Sequence, residues 1–294
     1  MMRPMNQHQS SATTLEASLP CRSDEFRQSG FAVLRGLVDD EESARLRSEV
    51  DAALRRPRDP SCARPNNTLV PLRWCDAIAD MLLTSERRMD AIRRAVGAAD
   101  LRWISGYVSV KDARSAPLWW HQDWWCWDHA VSLRRQAPQV AVLFYLTDAD
   151  SRNGALRVVP GSHHRSLPIH ATLHDLGADD KPLDPNHPAF GGHPEQVTLD
   201  VEAGDAVVMD YRLLHGTHAN ASDQRRDGII MSFTPGWRDL PEDIRAHLIS
   251  HCAQPLAGEI TRATPSWGNL LPVFDGARRD LTLNRVAPAH FEAR

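Results

Sequence analysis

The chain has 294 residues, of which 42% are hydrophobic and 24% charged, with a formal net charge of -4. That length suits one large core and the balance is ordinary for a globular protein. The charge excludes the basic character that nucleic acid or an anionic membrane surface selects, so neither is expected as a partner.

In chain order, residues 1–22 form a polar tail predicted to be disordered, without the apolar stretch of a signal peptide. The five cysteines are odd in number, scattered and without a CxxC pair, which fits a reducing compartment. No apolar run reaches the roughly 18 residues of a membrane helix. A cytoplasmic location is the expectation. Ser23, followed by Asp24 and Glu25, starts a short helix that Gly30 ends, and residues 31–38 read as a strand. Asp39 or Asp40 caps a helix to about Arg55, with Ala44, Leu46, Val50 and Leu54 on its apolar side. Residues 56–65, rich in Pro and Arg, read as a loop. Ser85 begins another helix that ends near 97–100. Residues 23–100 are therefore expected to form a helical layer.

From residue 101 the character changes to short runs rich in Val, Ile, Phe, Tyr and Trp. They fall at 102–111, 118–124, 139–147, 155–159, 196–201, 206–211 and 228–234, with turn residues such as Gly154, Gly161 and Gly204 between them. Strands of that number and length predict a double-sheet jelly roll of the cupin type over 101–237. The fold class is thus mainly β with flanking helices (α+β), one domain over 23–294. Segment 167–194 is long enough to be a lid or binding loop. Residues 244–251 look helical, and the rest of the extension 238–294 gives no clear reading.

Residues 119–123 read WWHQD. Alternate strand residues share a face, so His121 and Asp123 aim into one cavity together with Trp119, while Trp120, Gln122 and Trp124 point away. A His-x-Asp pair arises by chance easily among 14 histidines. Here a second histidine, His215, follows 94 residues later at the end of a turn and strand. His121, Asp123 and His215 make the 2-His-1-carboxylate set that holds Fe(II) and leaves three octahedral positions open. Arg226, 11 residues further on, offers a planar fork for a dicarboxylate. These residues read as an iron oxygenase that uses 2-oxoglutarate and O2.

The run 215–226, HGTHANASDQRR, resembles the phytanoyl-CoA dioxygenase family, whose pattern is H-G-[ST]-x-x-N-x-[ST]-x-x-x-R. The likeness extends to 153–163, NGALRVVPGSH, and to 30–36, GFAVLRG, and covers residues 23–237. It implies a double-stranded β-helix with iron on His121, Asp123 and His215. It also implies that Arg226 receives the distal carboxylate of 2-oxoglutarate, helped by the Thr217 hydroxyl. Related halogenases carry a small residue at the position of Asp123, so hydroxylation or another oxidative step is the expected outcome. Arg225 should face away. Tyr107, Ser109 and Lys111 share one face of the preceding strand, from which one of them reaches the cosubstrate. Asn220, Ser222 and His163 read as turn residues rather than ligands.

Five of the nine tryptophans crowd around the ligands: Trp119, Trp120, Trp124, Trp125 and Trp127. Trp119, Trp125 and Trp127 are the candidates for an aromatic substrate wall, with Asp128 and Asp210 nearby to suit an amine. Very few lysines stand among many arginines, which reads as GC-rich bacterial coding. The expected role is tailoring of a small secondary metabolite, amino-sugar or amino-acid-like. An acyl-CoA hydroxylase of the same family is one alternative, disfavoured by the lack of a basic cluster for coenzyme A phosphates. A non-catalytic metal-binding jelly roll is the other, and it has no evident need for Arg226.

Overall fold

In the computed structural model, residues 22–57, 67–174, 184, 186–256, 258–259 and 265–293 are described. Residues 1–21 of the proposed tail and most of the loop 56–65 lie outside them, as does the middle of 167–194; Arg22, expected in the tail, is the first residue of a helix. Helix α1 (Arg22–Ser29) stops at Gly30, whose φ of 84° few other residues adopt, and β1 (Phe31–Leu34) follows. Asp39 caps α2 (Asp40–Leu54), its carboxylate accepting the Glu42 N–H at 2.8 Å. The buried side of α2 is Ser43, Leu46, Val50 and Ala53; Ala44 is exposed, a correction to the expected stripe. Then come β2 (Thr68–Leu72), α3 (Ala77–Leu83) and α4 (Glu86–Val96). Ser85 caps α4 through the Arg88 N–H, and Gly97 ends it in the left-handed conformation.

Residues 23–100 are therefore not a purely helical layer. β1 and β2 form the two edges of a six-stranded antiparallel sheet ordered β1-β8-β5-β10-β3-β2. Its other strands are β3 (Leu101–Lys111), β5 (Val140–Tyr145), β8 (Ala206–Asp210) and β10 (Arg226–Pro235). β2 contains Pro71, which cannot donate to a ladder, and an edge strand tolerates that. A second sheet, ordered β4-β9-β6-β7, holds β4 (Leu118–His121), β6 (Leu156–Val158), β7 (Val197–Leu199) and β9 (His215–Thr217). α5 (Pro168–His174) begins the long 167–194 segment, and α6 (Glu242–Leu248) follows the core.

Strand parity sorts the large sheet into two faces. Val140, Val142, Phe144, Ile229, Met231 and Phe233 pack with α2, α3 and α4 in the main apolar cluster. Ala141, Tyr145, Val207 and Met209 pack toward Leu156, Val158 and Leu199 of the small sheet. This second face also carries Tyr107, Ser109, Arg226 and Ser232 by alternation. A polar row thus runs inside the jelly roll. No helix among the described residues is long and apolar enough to cross a membrane.

Candidate metal centre

β4 and β9 run antiparallel with His121 directly opposite His215 and Leu118 opposite Thr217. Their close approach depends on Gly216. A Cβ there would lie 2.8 Å from the Leu118 carbonyl oxygen and 2.9 Å from that of Trp119. Any larger residue would push the two ligand strands apart.

His121 Nδ1 lies 2.9 Å from the Trp119 carbonyl oxygen, and His215 Nδ1 lies 3.0 Å from that of Leu213. A carbonyl only accepts, so both rings carry their proton on Nδ1 and present the Nε2 lone pair. Both Nε2 atoms face one carboxylate: His121 Nε2 is 3.8 Å from Asp123 Oδ1, and His215 Nε2 is 3.6 Å from Asp123 Oδ2. The ligand atoms of the three residues lie within 4.8 Å of one another. Two imidazoles oriented by backbone carbonyls, with one carboxylate, are a donor set that fits Fe(II).

Asp123 lies just beyond β4, so its aim does not come from strand parity alone. The Trp124 N–H donates to the Tyr211 carbonyl at 2.9 Å, and the Gln122 amide donates to the Arg212 carbonyl. Arg212 is fully buried and bidentate with Asp210. Burial alone would raise the Asp210 carboxyl, but the Arg212 charge, its hydrogen bonds and the nearby His163 together hold it below the usual range. The C-terminal segment adds a strap: Asn284 pairs with Cys126, and Arg285 donates to the Asp123 carbonyl at 3.4 Å.

Arg226 is buried on the inner face of β10, beside a cavity lined by Ser109, Leu143, Tyr145 and Ile230. Its Nη1 donates to the Gly154 carbonyl at 2.6 Å, and its guanidinium carbon stands 5.3 Å from the Tyr145 ring centroid. Burial lowers its pKa, yet a guanidinium stays charged. Among the described residues no carboxylate pairs with it, and the buried Nε of Arg226 and hydroxyl of Tyr145 have no hydrogen-bond partner. Unsatisfied buried donors of this kind fit an anionic group that would enter from outside. Arg225 faces away, paired with Asp51 and Asp227. The Thr217 hydroxyl accepts the Leu118 N–H at 3.3 Å.

The tryptophans divide. Trp119 is half-buried, 5.8 Å from the His121 ring and 6.4 Å from Phe190. Trp120 and Trp124 are both fully buried, their indole N–H groups donating to the Gly191 carbonyl at 2.9 Å and the Ser132 hydroxyl at 2.8 Å. Trp125 and Trp127 belong to a buried cluster, and their neighbours are His247 at 4.4 Å and Phe291 at 4.9 Å. They do not stand as an open wall. Asp128 accepts from Asn284 at 2.6 Å and Asp210 is held by Arg212, so neither is set to receive an amine. Asn220 and Ser222 organise their own turn, and Ser162 and His163 bind backbone. Sequence reading missed Tyr211, His251 and Arg285. Tyr211 is half-buried, and its phenol is raised first by desolvation and then by the Asp123 charge. His251 and Arg285 lie in the extension, where no motif marks them.

The family model for phytanoyl-CoA dioxygenase (PhyH) matches residues 26–228. The ectoine dioxygenase of Bordetella parapertussis is 27% identical over 237 residues, covering 71% of this chain and 72% of that protein. A Stutzerimonas stutzeri protein named "Probable alpha-ketoglutarate-dependent hypophosphite dioxygenase" is 28% identical over 171 residues. That match spans 55% of this chain and 54% of the relative, about half its length. HygX from Streptomyces hygroscopicus, solved with nickel, 2-oxoglutarate and hygromycin B bound, superposes with a TM-score of 0.54 at 22% identity. It covers 72% of this chain and 85% of its own, and shows the same fold.

Proposed function

Because the chain belongs to the phytanoyl-CoA dioxygenase family, of iron- and 2-oxoglutarate-dependent oxygenases, we propose that it oxidises a small molecule by hydroxylation or oxidative ring formation. His121, Asp123 and His215 hold the metal, and Arg226 seats the distal carboxylate of 2-oxoglutarate with Thr217 beside it. The observation that carries this reading is the convergence of two Nε2 atoms on one carboxylate. The bound metal with the 2-oxo acid and O2 supplies an oxidant for a C–H bond as the diacid is decarboxylated to succinate. The protein's own part is positional. The Trp119 and Leu213 carbonyls fix the two rings, the pinned loop after β4 holds Asp123, and the buried surroundings of Arg226 strengthen its hold on an anion.

For the substrate we favour a secondary metabolite of amino-acid-like or amino-sugar type, in line with the ectoine and hygromycin B of the relatives. With Asp128 and Asp210 engaged, recognition of an amine would fall to groups other than those acids, and Trp119 is the aromatic residue placed beside the metal ligands. Incubation of the Fe(II) protein with 2-oxoglutarate, O2 and a panel of such metabolites tests the proposal. Succinate together with a product heavier by one oxygen, or lighter by two hydrogens, supports it. A panel of acyl thioesters converted instead would overturn the substrate assignment.

A further inference from the structure

Tyr107 stands on the inner face of β3, two residues along from Ser109 of the Arg226 cavity. Its hydroxyl oxygen lies 3.0 Å from His251 Nε2, and the two rings meet edge to face. His251 comes from the turn after α6, outside the residues that match the family. Its other nitrogen, Nδ1, accepts the Ala253 N–H at 3.1 Å. Burial, with the His247 charge beside it, lowers this ring's pKa to about 4, so it is neutral near pH 7. A neutral imidazole has one donor and one acceptor nitrogen. The proton therefore sits on Nε2, His251 is the donor, and the Tyr107 oxygen accepts. The hydroxyl hydrogen of Tyr107 is then directed away from His251.

The ladder locates that hydroxyl along the site. Arg226 pairs with Lys111, Gly228 with Ser109, Ile230 with Tyr107 and Ser232 with Ser105. Tyr107 thus lies two alternate rungs from Arg226, toward Ser232. There the Gln139 amide donates to the Ser232 hydroxyl, the Gln139 backbone carbonyl accepts the Tyr211 N–H, and the Tyr211 carbonyl accepts the N–H of Trp124, the residue after Asp123. Tyr107 is therefore at the metal end of the polar row rather than the Arg226 end.

We propose that His251 is a positioning residue for the cosubstrate, holding Tyr107 as a hydrogen-bond donor to the metal-proximal carboxylate of 2-oxoglutarate. This rests on the reading of the site as one for 2-oxoglutarate. It gives the C-terminal extension a direct part in cosubstrate recognition.

The test is anaerobic titration of the Fe(II) protein with 2-oxoglutarate, followed through the metal-to-ligand charge-transfer band. His251→Ala and Tyr107→Phe should each weaken binding about tenfold, the scale of one lost hydrogen bond to a charged group, and shift the band. Iron affinity should not change, and the double variant should be no worse than either single one. His251→Gln places an amide N–H where Nε2 stands and should restore most of the affinity. His251→Asn keeps an acceptor for the Ala253 N–H but not the reach to Tyr107, and should not restore it. Tyr107→Phe leaves the His251 turn intact, so the test stands even if His251→Ala does not fold. Equal rescue by Asn and Gln, or wild-type affinity and band in Tyr107→Phe, would overturn the proposal. No band in the wild-type protein would instead overturn the 2-oxoglutarate site itself, and the proposal with it.

Discussion

The proton on Nδ1 of His121 and of His215 decides whether those rings can bind a metal, and two backbone carbonyls place it there. His121→Ala or His215→Ala should abolish stoichiometric iron binding, measured by metal analysis after anaerobic loading. Full iron content in either variant would exclude the triad. Arg226→Ala should raise the 2-oxoglutarate concentration needed for half-saturation by roughly 10- to 100-fold, since a charge-assisted contact is worth about 1.5–3 kcal/mol. Iron binding should stay intact in that variant. Arg225→Ala, which loses its pairing to Asp51 and Asp227 and no contact to the site, should leave both nearly unchanged; the reverse ranking would show that the wrong arginine was assigned. Lys111, fully buried on the rung opposite Arg226, has its pKa lowered to about 7 by burial first and then by the Arg226 charge. In the unfolded chain the amine keeps its ordinary value near 10.5. Between about pH 7 and 10 the unfolded state therefore binds the extra proton, and stability rises with pH. Urea midpoints of the metal-free protein at pH 7 and pH 9 should show that rise, and Lys111→Met should remove most of it. An equal rise in Lys111→Met would assign it to other groups.

Among the elements, the β4–β9 pair matters most, because two metal ligands face each other across it. Gly216→Ala should separate those strands and cost iron affinity while circular dichroism still reports the larger sheet. Unchanged iron affinity would show that the close approach is dispensable. The helices capped by Asp39 and Ser85 were legible because a side-chain acceptor at the first turn is local chemistry. β2 was not, since Pro71 argues against a strand and only its edge position permits one. The strand His215–Thr217 was not marked either; three residues carry no periodicity, and tertiary pairing with β4 and β6 makes it a strand. His121, Asp123 and His215 could be named from spacing and motif. The burial of Trp125 and Trp127 could not, because parity fails once the chain leaves β4. The C-terminal strap carries no periodicity and shows itself only in contacts such as Asn284 with Trp125 and Trp127.

Over the whole molecule, one sheet serves two purposes. Its outer face packs apolar residues on three helices, while its inner face carries the polar row from Arg226 to Ser232 toward the ligands on the small sheet. That division follows from period-two alternation, which is why the jelly roll was readable from the strand runs. The engagement of Asp128 and Asp210 was not, since their partners Asn284 and Arg212 are found only in three dimensions. The central claim is that one ferrous ion and one molecule of 2-oxoglutarate span the space between His121, Asp123, His215 and Arg226. An anaerobic crystal structure of the protein loaded with Fe(II) and 2-oxoglutarate measures this directly. The ion should be bound by both Nε2 atoms and the Asp123 carboxylate, with the distal carboxylate of the diacid on the Arg226 guanidinium. A metal bound without His215, or a diacid seated away from Arg226, would contradict it.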